Sequence, residues 1–325
     1  MAHEIAAVNG KASMAYFGEV PWHRLGTKLD RPATASEAIA AAGLDFEVNL
    51  QSLWTSAGEP VVRRQAVVRQ DSSEVLGIVG NGYQPIQNLE CFSFLDSVVA
   101  DGRLRYHTAG ALGKGERIWM LAKLPGEICV ANSDDITEKF LLLSNSHDGS
   151  SALRVYFTPI RVVCANTLAM AERRSRHEGV SIIHKGDLAA KVSEAQEILG
   201  FASKYYCELE GKINRLAQYR PTRDQICAYF KSLYPERSGN PSRRSENVRA
   251  RLLELFEEGR GQKIPAIRFS AWSAYNAVTE YVDHHRSTRG KTSEERFNQR
   301  LNSAWFGSGA RLKVDAWREA MAMMN

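Results

Sequence analysis

The chain has 325 residues, 44% of them hydrophobic and 24% charged, a soluble globular composition long enough for two domains. No apolar run approaches the roughly 18 residues of a membrane span, and the first twenty residues lack the basic flank and apolar centre of a secretory leader. The net charge of +5 is uneven: residues 211–325 hold 21 Lys+Arg against 12 Asp+Glu, and residues 1–210 hold 21 against 25.

A basic last third on a slightly acidic body suits a polyanion partner, a contact between unlike parts of two subunits, or simply a basic solvated surface. The five cysteines (Cys91, Cys129, Cys164, Cys207, Cys227) are scattered and form no Cys-x-x-Cys. That pattern implies free thiols in a reducing cytoplasm and no zinc module.

Residues 1–47 read as an arm with one short helix, "TASEAIAAAGLD" (Thr34–Asp45). Thr34 or Ser36 caps it, Gly43 ends it, and Ile39 and Leu44 pack. Within the arm, "EVPWHRLGTKLD" (Glu19–Asp30) places Pro21, Trp22, His23 and Arg24 together. The simplest reading is a latch in which Trp22 fills a groove while His23 and Arg24 face any ligand beside it.

From residue 48 the period changes. "VNLQSLWTS", "VVRRQAVVRQ" and "VLGIVG" are short, β-branched and separated by turn residues, which predicts a strand series. "IQNLECFSFLDSVVADG" follows as an amphipathic helix with Leu89, Phe92, Leu95, Val98 and Val99 on its apolar face. "RLRYHTAG" and "ERIWMLAKLP" then flank "GALGKG", and "KFLLLSNS" and "ALRVYFTPIRVVC" flank "HDGS". The Asp148-Gly149 pair is a hairpin signal. This order predicts an α+β fold: an antiparallel β-sheet with a strand-strand-strand-helix core over residues 48–186. Residues 187–325 are predicted as a mostly helical region, basic from about residue 211.

No nucleotide-loop, zinc-protease or serine-hydrolase motif is present. "GALGKGER" has the glycines of a phosphate cradle, but a strand follows it, so a hairpin tip is the better reading. His147 and Asp148 are adjacent in a turn that hairpins favour anyway. His284 and His285 near a helix end complement the helix dipole. No metal or cofactor is expected.

The strands give a stronger lead. Strict alternation puts Arg103, Arg105 and His107 on one face of their strand, and Arg117, Trp119, Leu121 and Lys123 on one face of the next. Arg63, Gln65 and Arg69 form a third row. An open sheet face with arginines and an aromatic suits single-stranded nucleic acid. Residues 48–165 hold 11 Lys+Arg and 12 Asp+Glu, so such a face requires charges segregated by side.

The segments "PWHRLGTKL", "GNGYQPIQNLECFSFLD", "TAGALGKGERIWMLAKL", "LLLSNSHDGSSALRVYFTPIRVVCANTL" and "AWSAYNAVTEYVDH" resemble the phage/plasmid-like protein family (domain of unknown function 932), over nearly the whole chain. The strand-strand-strand-helix order is similar, at fold level, to single-strand annealing proteins of the Rad fifty-two type. The resemblance implies a mobile-element protein that binds single-stranded DNA as a homo-oligomer, with a ring as the form the annealing proteins take.

The expected contacts are Arg103, Arg105, Lys114, Arg117, Trp119 and Lys123, with Arg63, Arg64, Arg69, Arg154 and Arg161 in support. Two rival readings stand beside it. One is a nucleic-acid or nucleotide-processing enzyme using His23, His147, Asp148, Cys164 and His184. The other is a protein-binding defence or regulatory factor.

Overall fold

The computed structural model describes residues 7–8, 11–12, 14–17, 27–30, 34–93, 96, 104–151, 153–161, 166–167, 179–181, 188–236, 242–288 and 293–325. The fold is α+β, with antiparallel sheets and a mostly helical C-terminal region, as predicted. The chain divides into two compact units. One comprises residues 1–125, 140–157 and 176–201; the other comprises 126–139, 158–175 and 202–325.

The strands in chain order are β1 (Ala7–Val8), β2 (Lys11–Ala12), β3 (Met14–Phe17), β4 (Thr27–Leu29), β5 (Val48–Trp54), β6 (Pro60–Arg69), β7 (Val75–Gly80), β8 (Arg105–Leu112), β9 (Arg117–Cys129), β10 (Ile136–Ser146), β11 (Arg154–Phe157), β12 (Ile160–Arg161), β13 (Asn166–Thr167) and β14 (Gly179–Ser181). The main sheet runs β13-β12-β10-β9-β8-β3-β4, with β11 on β10 and β14 on β11. Strands β5, β6 and β7 form a separate antiparallel sheet.

The first unit contains an unpredicted contribution from the arm. Strand β3 pairs antiparallel with β8 and parallel with β4, so this segment completes the main sheet. Helix α1 (Ala35–Ala41) has a reciprocal capping box between Thr34 and Glu37, which satisfies two N-terminal N–H groups. It buries Ile39, and Leu44 is buried just beyond its end. Helix α2 (Asn88–Ser93) buries Asn88, Cys91 and Phe92, while Leu89 is half exposed. Leu89 is therefore off the packed face that the apolar spacing suggested. Leu95, Val98 and Val99 lie outside the described residues.

Both predicted hairpin tips are present. The β8–β9 tip is "GKGE". The β10–β11 tip carries Gly149 at φ 76°, a left-handed turn position that glycine adopts without steric cost. The small sheet packs its inner face on these tips. An added Cβ on Gly77 of β7 would lie 2.4 Å from the Asp148 Cα, so only glycine permits this approach.

The second unit is built on helices. Helix α3 (Leu188–Gln218) passes from the first unit into it. Then come α4 (Arg223–Leu233), α5 (Arg243–Glu258), α6 (Ala271–Glu280), α7 (Ser293–Phe306) and α8 (Ser308–Ala322). All ten residues of α6 are buried, as for a helix at the centre of a bundle. Trp272 Nε1 donates to Asp135 at 2.8 Å, and Asn214 Oδ1 accepts from the Ala131 N–H at 2.7 Å. Helix α6 continues into a π-helical turn, Tyr281–His285, whose Asp283 pairs with the fully buried Lys313 at 2.5 Å. Among the described residues, no helix is long and apolar enough to cross a membrane.

Candidate nucleic-acid interface

The β5–β6 hairpin extends as an exposed arm. From Gln51 to Arg64 every residue is exposed except the half-buried Leu53. Its tip is nonetheless well ordered by hydrogen bonds. Thr55 N donates to Glu59 O at 2.8 Å, Gly58 N donates to Thr55 O, and Glu59 N donates to the Thr55 hydroxyl. Trp54 pairs with Pro60, whereas Ser52 already pairs with Gln65. The run Val61–Arg64 is therefore an extended bulge in β6.

Arg63 in that bulge has φ 71°, a costly conformation for a residue with a side chain. It sets Val62 and Arg63 out of the ladder. The result is an indole, 63% exposed, on the same hairpin as two exposed arginines that have no ion-pair partner among the described residues. Sequence reasoning named Arg63 and Arg64 and did not name Trp54. Its signal was an aromatic at the last strand position before a polar turn.

The main sheet departs from the expected open face. Strand β8 has a bulge between Tyr106 and Thr108, so alternation breaks at His107. Thr108, facing Leu121, falls on the side of Arg105, which faces Lys123. Trp119 faces Gly110 and is 1% exposed; Leu121 beside it is also buried. On the opposite face Ile118, Met120 and Ala122 are fully buried. The middle of β9 is thus covered on both sides, and Trp119 is a core residue rather than a stacking platform.

Arg69 is likewise a structural residue. It is 3% exposed and forms a two-pronged pair with Asp71 at 2.9 and 2.7 Å. It also donates to Lys114 O at 2.7 Å and lies 3.8 Å over the Phe46 ring. The guanidinium beside Asp71 holds that carboxyl below its ordinary range.

The remaining cations are dispersed. Arg105 is exposed and faces the half-buried Lys123 at one end of the β8–β9 ladder. At the other end, Lys114 lies 3.5 Å from Glu74, and Arg117 donates to Ser150 Oγ at 3.2 Å. Arg154 is exposed on β11. Arg161 pairs with Thr137 through its backbone, but its side chain lies outside the described residues, as does the whole of Arg103. Of the expected cations whose side chains are described, Arg63 and Arg64 lie on the same hairpin as an exposed aromatic, Trp54.

His147 is also a core group. Asn88 Nδ2 donates to Leu44 O at 2.7 Å and to Phe46 O at 3.3 Å. Its Oδ1 therefore faces His147 and accepts from Nε2–H at 2.7 Å. The His147 N–H donates to Glu116 O at 2.7 Å, tying the two hairpin tips together. Burial, with Arg69 nearby, pushes the imidazole down to about 4 against the pull of Asp148. Asp148 instead orders its own turn by accepting from the Ser150 N–H at 2.8 Å.

His147 and Asp148 thus each have a structural task. Trp22, His23, Arg24, Cys164 and His184 lie outside the described residues. Among the described residues no cluster of three His, Cys, Asp or Glu side chains can hold a metal ion.

No curated protein and no solved structure matches this chain. A family model, the domain of unknown function DUF932, matches residues 75–305. That span is more than two thirds of the sequence. It includes α2, both hairpins of the main sheet and helices α3 to α6; the β5–β6 arm precedes it. The continuous match through both compact units makes this chain a member of the DUF932 family.

Proposed function

We propose that this chain binds single-stranded DNA through the β5–β6 arm, as an oligomeric annealing-type recombination protein of a phage or plasmid. The observation that carries the reading is Trp54, held 63% exposed by an ordered hairpin whose paired strand carries the exposed Arg63 and Arg64. An indole stacks on any base regardless of sequence, and arginines meet the phosphates on either side. Annealing holds strands and makes no bond, so it requires no catalytic constellation. Self-association is supported by β7, an edge strand without a charge, whose Val75 and Ile78 are 51% and 58% exposed. Such an edge invites strand pairing.

Fluorescence anisotropy with a labelled single-stranded oligonucleotide, titrated over salt, tests this proposal. Trp54→Ala should weaken binding by roughly 5- to 150-fold, the loss of about 1–3 kcal/mol of stacking for one base. Arg63→Ala with Arg64→Ala should reduce the slope of log K against log salt by about 1.4, as two phosphate contacts on a single strand require. Binding unchanged by both changes, in protein of unchanged mass in solution, refutes the arm as the interface. Ile78→Lys should lower the mass measured by light scattering; retention of the parent mass refutes β7 as the contact.

A further inference from the structure

The second unit contains a half-open cavity of about 330 Å³, at the small end of ligand pockets. It lies between α4, α5 and the segment leading into α6. Phe256 and Phe269 give it an aromatic wall, and Arg223, Arg268, Glu257 and Glu258 give it charge.

Phe269 is the unusual member. Its φ is 57°, a conformation that glycine or asparagine adopts readily and a bulky aromatic does not. Its ring is nevertheless 42% exposed at the cavity, 5.8 Å from the Phe256 ring, with the Arg268 guanidinium 4.7 Å above it.

The backbone around Phe269 is firmly fixed. Ser273 Oγ donates to Ile267 O at 2.6 Å, and Ser273 N donates to Ser270 Oγ. The buried Gln262 Nε2 donates to Ser273 O at 3.0 Å, and Arg220 Nη2 donates to Ala266 O at 2.7 Å. Strain held by such a frame is a mark of ligand sites.

The charges complete one chemistry. Arg223, 78% exposed and 3.7 Å from Glu257, lies in the first turn of α4, where the helix dipole favours an anion. The aromatic wall and the Arg268 plane suit a flat heterocycle, and the glutamates accept from its N–H groups or from sugar hydroxyls. We infer that this cavity is a site for a free mononucleotide, with its base on the Phe269–Arg268 stack and its phosphate at Arg223. The site is separate from the strand-binding arm and does not depend on that reading.

Calorimetric titration of the full chain with the four ribonucleoside monophosphates, adenosine and inorganic phosphate tests the assignment. At least one mononucleotide should bind, and inorganic phosphate should bind at least tenfold more weakly. Phe269→Gly should cost at least tenfold in nucleotide affinity, read on protein shown to be folded by its thermal transition. Arg223→Ala should weaken the nucleotide at least tenfold and leave adenosine unchanged.

Absence of mononucleotide binding overturns the proposal, as does phosphate binding as tightly as nucleotide. If Phe269→Gly leaves nucleotide affinity unchanged, the proposed stack is refuted. Unchanged nucleotide affinity in Arg223→Ala refutes the phosphate position.

Discussion

His147→Gln isolates the energetic consequence of a neutral histidine in the core. In the folded chain His147 titrates near 4 because burial disfavours its cation; in the unfolded chain an imidazole titrates near 6.5. The folded value is the lower one, so between these limits the unfolded state binds more protons. Stability is then fully present above about pH 6.5 and is lost as pH falls towards 4. A shift of that size corresponds to about 3 kcal/mol in full, of which about 2 kcal/mol is gone at pH 5.

Glutamine keeps a donor for Asn88 Oδ1 and does not titrate, so the variant should lack this slope. Urea unfolding of both proteins at pH 7, 6 and 5 measures it. The gap between parent and variant should shift in favour of the variant by about 2 kcal/mol from pH 7 to pH 5. An identical pH dependence in the two proteins refutes the assignment of a neutral, Nε2-protonated His147.

Arg69→Lys keeps the charge but loses the two-pronged pair with Asp71 and the bond to Lys114 O. It should cost about 2–3 kcal/mol in urea unfolding, whereas Arg64→Ala on the exposed arm should stay within about 0.5 kcal/mol. Gly77→Ala drives a methyl group into the Asp148 backbone and should cost about 1–3 kcal/mol, read as a lower urea midpoint. Lys313→Ala removes the ammonium group 2.5 Å from the buried Asp283 and should cost about 3–5 kcal/mol. Joining it with Asp283→Leu should restore much of that loss in thermal unfolding, because both members of this buried pair are then gone.

The sequence made the hairpin tips legible because Asp148-Gly149 and the glycines of "GALGKG" encode backbone geometry locally. Thr34 announced the start of α1 for the same reason. Side-chain exposure was less legible. Arg117, Trp119, Leu121 and Lys123 alternate as an open face would, yet Ile118, Met120 and Ala122 are apolar in the opposite phase. A strand apolar in both phases is buried on both faces, and that signal identifies Trp119 as core.

Arg69 was indistinguishable from Arg64 by type, and only the Asp two positions later hinted at its local pair. The bulge at His107 reassigns Thr108 to the other face, a shift that no periodicity reveals. Trp54 is exposed because no other described residue packs over it on the arm, a tertiary fact absent from any local window. The strand β3 was missed because its partner is remote.

That remoteness sets the order in which the sheet can be completed. Tyr16 pairs with Thr108, 92 positions later, while β8 and β9 close across four turn residues. At roughly 5–20 residues per second of synthesis, β3 waits about 5–20 seconds before its partner exists. Once made, the β8–β9 hairpin presents a free ladder edge until β3 pairs with it. Closing so long a loop is entropically slow, so the rate at which β3 returns, against the rate at which a foreign strand arrives, decides how much newly made chain reaches the native sheet.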